Sequence, residues 1–403
     1  MDARPQTHVA VAAVARPQVE RLLGLSMLAV FATTLCMRAV DPVVPQIAAH
    51  FVVDPHTVAL LATAFSLPYA ITQPVLGGLA DAFGKTRLMT LSLGALMLSA
   101  ALGAAAPDMT TLFASRIISG IMAGGVFPIA VAIAADLVSF ERRQVAVGRI
   151  LSAAMIGNVL GSPLAGIAAD LIGWRGVFVG MGALAGTAVV ATGFGFRGLR
   201  TSAAEPIEIA SMPATYRAIF RHPLAKICFG SVMLEAICLH GLFPYVAQLL
   251  AAAGEPRAAI AGLVIAGFGV GGIIYVAMIA LLLRLLHERG VMLTGGTLMG
   301  LGLMVVALRL PWPLQFLNFV VLGVGFYLLH GVIQIYASEL APQARGSAMA
   351  MHSTFFFFGN ALGPVIYGLA LSTLGLAATV IPFGAILIGV GIVCARTLRR
   401  DVG

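Results

Sequence analysis

Gly77-Gly78-Leu79-Ala80-Asp81-Ala82-Phe83-Gly84-Lys85-Thr86-Arg87 decides how this chain folds. It is a short, charged, glycine-rich break between two long apolar runs. Charge is costly in hydrocarbon, so a tight turn carrying Asp81, Lys85 and Arg87 belongs at a membrane surface. The runs on either side then read as helices that cross and return. Composition agrees with this reading. Of 403 residues, 60% are apolar and only 10% charged, with a mean hydropathy of +1.00. A water-soluble chain of that length would lack the polar residues to coat its surface. The apolar runs are long and uninterrupted, unlike the alternating segments of ~10 residues that build an outer-membrane barrel.

At about 20 apolar residues per crossing, twelve helices fit the chain: 21–45, 56–80, 88–106, 110–136, 145–170 and 174–196, then 224–251, 257–283, 291–309, 312–338, 346–373 and 376–396. Residues 1–20 and 397–403 read as cytoplasmic tails. The first has no compact apolar segment followed by a cleavage site, so no signal peptide is expected. The segment 197–223, with Thr201, Ser202, Glu205, Pro206, Glu208 and Pro213, reads as a solvated tether between two six-helix halves, 21–196 and 224–396. All Lys and Arg except Arg38, Arg116, Arg175, Arg257 and Arg309 fall on one side, 19 of 24. The positive-inside rule therefore puts both termini and the glycine-rich turn in the cytoplasm. The net charge of +8 thus speaks to topology and lipid headgroups, and no nucleic-acid partner is expected. Cys36, Cys228, Cys238 and Cys394 all lie in apolar runs and read as buried thiols.

A shift of 202 positions pairs Cys36 with Cys238, Pro42 with Pro244 and Gln46 with Gln248. It also pairs Arg143 with Arg345, Ala146 with Ala348, Gly157 with Gly359, Asn158 with Asn360 and Gly161 with Gly363. Two parallel halves related by an axis along the membrane normal explain the pairing.

The turn Gly77-x-Leu79-Ala80-Asp81-x-x-Gly84-Lys85-x-Arg87, placed between helices two and three, resembles the signature of the major facilitator superfamily, and the whole chain resembles its twelve-helix drug/proton antiporter group. The resemblance implies an all-α membrane protein of two pseudo-symmetric six-helix bundles, working as a secondary transporter by alternating access and not as an enzyme. It also implies that Asp81 meets the N-terminus of helix eleven and an arginine of the loop between helices four and five. A helix N-terminus carries about half a positive charge. Gly77, Asp81, Gly84, Lys85, Arg87, Arg143 and Arg345 then form a conformational latch favouring the outward-open state. Arg345 at the start of helix eleven calls for a carboxylate partner such as Asp136 or Glu339. Helix five carries Gly157-Asn158-Val159-Leu160-Gly161-Ser162-Pro163, similar to the antiporter glycine–proline motif except that Ser162 intervenes. The intact step is Gly363-Pro364. Close packing alone is the other reading.

Polar residues inside the spans are the candidates for chemistry. Arg38 and Asp41, three residues apart, share a helix face. A carboxylate balanced between desolvation and a nearby cation changes protonation when its surroundings move, which proton coupling requires. A structural ion pair is the alternative. Arg116 in helix four occupies the place of an arginine that the family resemblance implicates in proton handling. Glu235 near the membrane centre is a second candidate proton carrier. Phe65, Tyr69, Phe127, Asn158, His240, Phe243, His330, Gln334, Phe355 and Asn360 are candidates for lining a substrate cavity, suited by its aromatic content to lipophilic or cationic compounds. Gly267-Phe268-Gly269-Val270-Gly271-Gly272 matches a dinucleotide fingerprint literally. It has no preceding strand and lies within helix eight, so helix packing explains it better. No metal-ligating cluster, phosphate loop or catalytic motif appears, and no cofactor is expected. The expectation is a monomeric transporter of the inner (plasma) membrane, with protons, bilayer and a small molecule as its partners. It exports an amphipathic or drug-like compound against proton entry. Proton-coupled uptake of a metabolite is the near alternative, and a membrane-embedded lipid enzyme or sensor the distant one.

Overall fold

The computed structural model describes residues 16–197 and 212–398, apart from the side chains of residues 16, 74, 77, 78, 81, 82, 140, 141, 212 and 213. Among the described residues every regular element is helical. Nine stretches are long and apolar enough to cross a membrane. Two of them are far too long for one crossing. At 1.5 Å per residue, Phe140–Gly195 would run ~80 Å against a hydrocarbon core of ~30 Å. It breaks at Gly173, whose φ of 76° only glycine adopts freely. Ala258–Val305 likewise breaks at His287, with φ 55°. With Pro55–Phe83, a 29-residue helix, the spans number twelve, their ends within a few residues of those read from the apolar runs.

An even number of crossings returns the chain to the face it started from. Arg16 and Thr397 therefore share one face, here termed the terminal face; the opposite one is the far face. The first span is not one helix. It runs Arg16–Arg38, turns through the 3-10 segment Asp41–Val43, and resumes as Val44–Phe51. Pro42 cannot donate the amide hydrogen that would close on Arg38 four residues back, and Ser162 Oγ of the fifth span donates to that freed Arg38 carbonyl at 3.0 Å. The seventh span repeats the device. Ala225–Glu235 passes into the π segment Ala236–His240, a 3-10 turn over Phe243–Tyr245, and the helix Val246–Ala252. Here Tyr367 Oη donates to the Cys238 carbonyl at 2.6 Å, and Tyr245 Oη to that of Pro364 at 2.6 Å.

The glycine run of the eighth span is a packing surface. Gly267 and Gly271 lie against the backbone at Phe316 and Val320 of the tenth span, and Gly269 against Val159 of the fifth. Without side chains in the way, three helices approach closely along one stretch. The segment before the seventh span is not all tether: Met212–Arg221 is a helix, with Ile219 buried in the second bundle's core and Phe220 edge-on to Phe229 at 5.7 Å. The four cysteines are free and buried.

A β-carbon at Gly271 would collide with the backbone of Val320 and Val324. Gly271→Leu is therefore expected to destabilise the protein by roughly 1–3 kcal/mol or more through overpacking. Gly389→Leu, where a β-carbon meets nothing, should change little. Thermal unfolding in detergent reads both; equal Tm values for the two variants would contradict this packing.

Candidate functional site

The break in the first span carries Arg38 and Asp41 to the junction of the two bundles. Asp41 is only 3% exposed and sits ~15 Å of helical rise from the span's far end at Phe51, near mid-membrane. Arg38 Nη1 lies 3.6 Å from Asp41 Oδ2. The same guanidinium reaches the second bundle twice: Nη2 donates to Asn360 Oδ1 at 3.5 Å, and the carbon of the group stands 4.8 Å from the centre of the Phe243 ring. Arg38, Asp41, Ser66, His240, Asn360 and Pro364 surround a cavity of about 10 Å³, enough for about one water. Asp41 Oδ2 is buried without a hydrogen-bond partner among the described residues. A polar atom so placed costs free energy until it binds a proton or a water.

Arg116 is buried beside this site. Its Nη1 donates to the Cys36 carbonyl at 3.4 Å and its guanidinium covers Phe65 at 4.5 Å, while Nε and Nη2 have no hydrogen-bond partner among the described residues. Glu235, fully buried, meets His330 Nδ1 at 3.0 Å. It belongs to the second bundle and stands apart from the cavity beside Asp41.

Among the described residues, side-chain contacts join the bundles from mid-membrane to the far face. Tyr69 and Phe357 rings lie 4.0 Å apart, Thr63 Oγ1 donates to the Ala361 carbonyl at 2.7 Å, and His56 packs on Tyr245 at 5.4 Å. At the far face, Asp170 at the end of the fifth span accepts hydrogen bonds from the Ala258 and Ala259 amides, at 3.0 and 2.9 Å. These amides open the eighth span, so the carboxylate of one bundle caps a helix of the other. Nearby, Arg257 holds the Glu255 carboxyl below its ordinary range by two side-chain hydrogen bonds, at 2.6 and 2.7 Å.

The sequence model of the Major Facilitator Superfamily matches residues 26–289, well over half of the chain. The chain belongs to this superfamily. The transporter is 25% identical to the inner membrane transport protein YdhP of Escherichia coli, over 83% of this chain and 84% of that one. It is 25% identical to multidrug resistance protein 1 of Bacillus subtilis, over 84% and 87%. A triacylglyceride transporter of Mycobacteroides abscessus is 34% identical over 107 residues, which cover 27% of this chain and only 21% of that one. In fold it resembles a solved bacterial homologue of the human lysosomal transporter Spinster, with TM-score 0.77 and 16% identity, over 97% of this chain and all of the other.

The other candidate residues of this transporter are placed as follows. His240, Phe243 and Asn360 lie with Arg38 at the junction, and Phe65 and Tyr69 adjoin them, their rings 5.9 Å apart. Asn158 is half-buried and donates to the Ala154 carbonyl at 3.1 Å. Phe127 packs within the first bundle's core, Phe355 stacks on Phe229 at 5.2 Å, and Gln334 is exposed. At the charged turn, Gly84 has φ 88°, and Lys85 pairs with Asp136 at 2.7 Å, so that carboxylate serves Lys85. Arg143 Nε donates to the Ala135 carbonyl at 3.1 Å, and Arg87 and Arg345 are exposed. The side chains of Gly77 and Asp81 lie outside the described residues. His352, buried and edge-on to His330 at 5.0 Å, and Asp170 were not singled out from the sequence. His352 is a polar residue within a predicted span, which was signal enough; Asp170 is one ordinary loop-end acid among several.

Removing the Asp170 charge should loosen far-face closure. With Asp170→Ala, a cysteine placed at the cavity by Ala62→Cys is expected to react about fivefold faster with an impermeant thiol reagent, the factor for ~1 kcal/mol. An unchanged rate would show that Asp170 does not hold this face shut.

Proposed function

We propose that this transporter is a proton-coupled exporter of a small amphipathic or drug-like compound, in which Asp41 takes up and releases the proton. The observation that carries this is the double engagement of Arg38, which contacts Asp41 within its own bundle and Asn360 and Phe243 in the other. Protonating Asp41 removes the anion beside Arg38 and so changes what holds the bundles together at that point. A protonation event is then coupled to the approach and separation of the halves, which alternating access needs. Arg116 places a second cation near the carboxylate and tunes its charge. The cavity has room for about one water, so a substrate site must form by separation of the bundles. Multidrug resistance protein 1, similar over most of the chain, supports the drug-like substrate class.

The arginine-rich terminal face is cytoplasmic in this reading, by the positive-inside rule, and the membrane is the inner (plasma) membrane. The protein works as a monomer, its two bundles, 21–196 and 224–396, rocking about their junction. The charged turn, with Asp81, Lys85 and Arg143, latches the outward-open conformation.

In everted vesicles with an acid interior, a panel of amphipathic fluorescent compounds that includes ethidium should draw protons outward as the compounds enter. Protons moving in the same direction as the compound would identify a symporter instead. Asp41→Asn should reduce gradient-driven accumulation at least tenfold, about 1.4 kcal/mol of lost coupling, while exchange without a gradient persists; full coupled flux in this variant would exclude Asp41 as the carrier. Separately, an impermeant maleimide should label Arg257→Cys in intact cells and Arg221→Cys only after permeabilisation. The reverse pattern would invert the topology.

A further inference from the structure

The second bundle holds buried titratable side chains that Asp41 and Arg38 do not use. Glu235 on the seventh span has no exposed surface and meets His330 Nδ1 of the tenth span at 3.0 Å. His330 in turn lies against His352 of the eleventh span, ring centres 5.0 Å apart. Glu235 Oε1 and His352 Nε2 are buried with no hydrogen-bond partner among the described residues. A carboxylate and two imidazoles so enclosed are costly as bystanders, since buried polar atoms are ordinarily satisfied.

Their depths form a series. By helical rise, His352 lies ~10 Å in from the terminal end of its span at Arg345, His330 ~14 Å from Glu339, and Glu235 ~15 Å from Ala225. On the inner side stand Phe326 and Phe356. Each packs on His330, at 4.6 and 5.4 Å, and each packs on His240, at 5.0 and 5.1 Å. His240 is the residue that lines the cavity with Arg38 and Asp41. Two phenylalanines therefore separate two groups of titratable side chains, Glu235 with His330 and His352 on one side and His240 with Arg38 and Asp41 on the other. Among the described residues the Cys394 thiol of the twelfth span also lies near Glu235, 3.2 Å from Ser231 Oγ, with Cys228 of the seventh span near it in turn. Nearer the terminal face, Tyr336 donates to Glu288 at 2.9 Å.

We infer that Glu235, His330 and His352 form a second proton-binding site in the second bundle, partitioned from Asp41 by the Phe326–Phe356 pair. Loading it forms the O–H bond of Glu235 with a proton relayed by His330, whose Nδ1–H bond breaks as its other ring nitrogen takes a proton from solvent; no electrons change hands. Its part in transport rests on the proton-coupled reading above, yet the site itself is measurable without any substrate.

The test counts protons. Purified full-length protein in nanodiscs, with a pH-indicator dye, is stepped from about pH 8 to about pH 5, a range that brackets carboxylate and imidazole titration. Glu235→Gln is expected to take up about one proton fewer per chain than the native protein, and Asp41→Asn also about one fewer. The double variant is expected to take up about two fewer. His330→Gln, which keeps a hydrogen-bonding side chain but cannot titrate, should likewise lower the count and serves if Glu235→Gln does not give a monodisperse protein. Native-like uptake by Glu235→Gln, or by His330→Gln in its place, overturns the inference. The two proposals fail separately: no gradient-driven flux with the second proton still counted rejects only the coupled exporter. A missing second proton with Asp41-dependent flux intact rejects only this site.

Discussion

A guanidinium at mid-membrane must be given partners by the protein, because hydrocarbon gives none. Much of this structure follows from where Arg38 finds them. Asp41, three residues along the same span, supplies the opposite charge. Asn360 and the face of Phe243 come from the other bundle. Neither bundle alone satisfies the cation, so the junction between them is the place where its environment is set. The break that brings Arg38 there has a covalent cause in Pro42, and the carbonyl freed by it is taken up by Ser162 of the fifth span.

The same economy explains the second bundle's seventh span. Pro244 interrupts it as Pro42 interrupts the first, and the π segment Ala236–His240 leaves carbonyls that need donors. Tyr367 and Tyr245 tie this segment to the eleventh span. His240 is thereby held at the cavity and Glu235 a turn and more away from it. One irregular span thus presents a titratable side chain to each of two neighbourhoods.

Closure between the bundles is uneven. Near the far face it combines backbone contact at small residues, as at Gly262 against Ser162 and Pro163, with the charge-assisted cap of Asp170 on the eighth span. Near mid-membrane it is aromatic, with Tyr69 on Phe357. Ring contacts of that kind separate without leaving a charge unpaired, whereas the Asp170 cap leaves two amides and a carboxylate to be solvated. The ends of the bundles that part at the far face are therefore the ones able to reach water.

The sequence by itself determined the class and the count of spans, because apolar length and charge placement answer to the bilayer thickness and not to any partner. Gly84-Lys85 as a turn, Pro42 and Pro244 as matching positions, and the eighth span's glycines as a packing face were all legible for the same local reason. Arg38, Asp41 and Glu235 stood out because a charge within an apolar run is conspicuous wherever it packs. Tertiary structure alone decided which of them meet. Lys85 rather than Arg345 takes Asp136, Phe355 turns to Phe229 while Phe357 reaches Tyr69, and His352 joins His330. Those choices depend on rotations of whole helices about their axes and on contacts between residues of different spans, tens to hundreds of positions apart. Periodicity along one span carries no record of either.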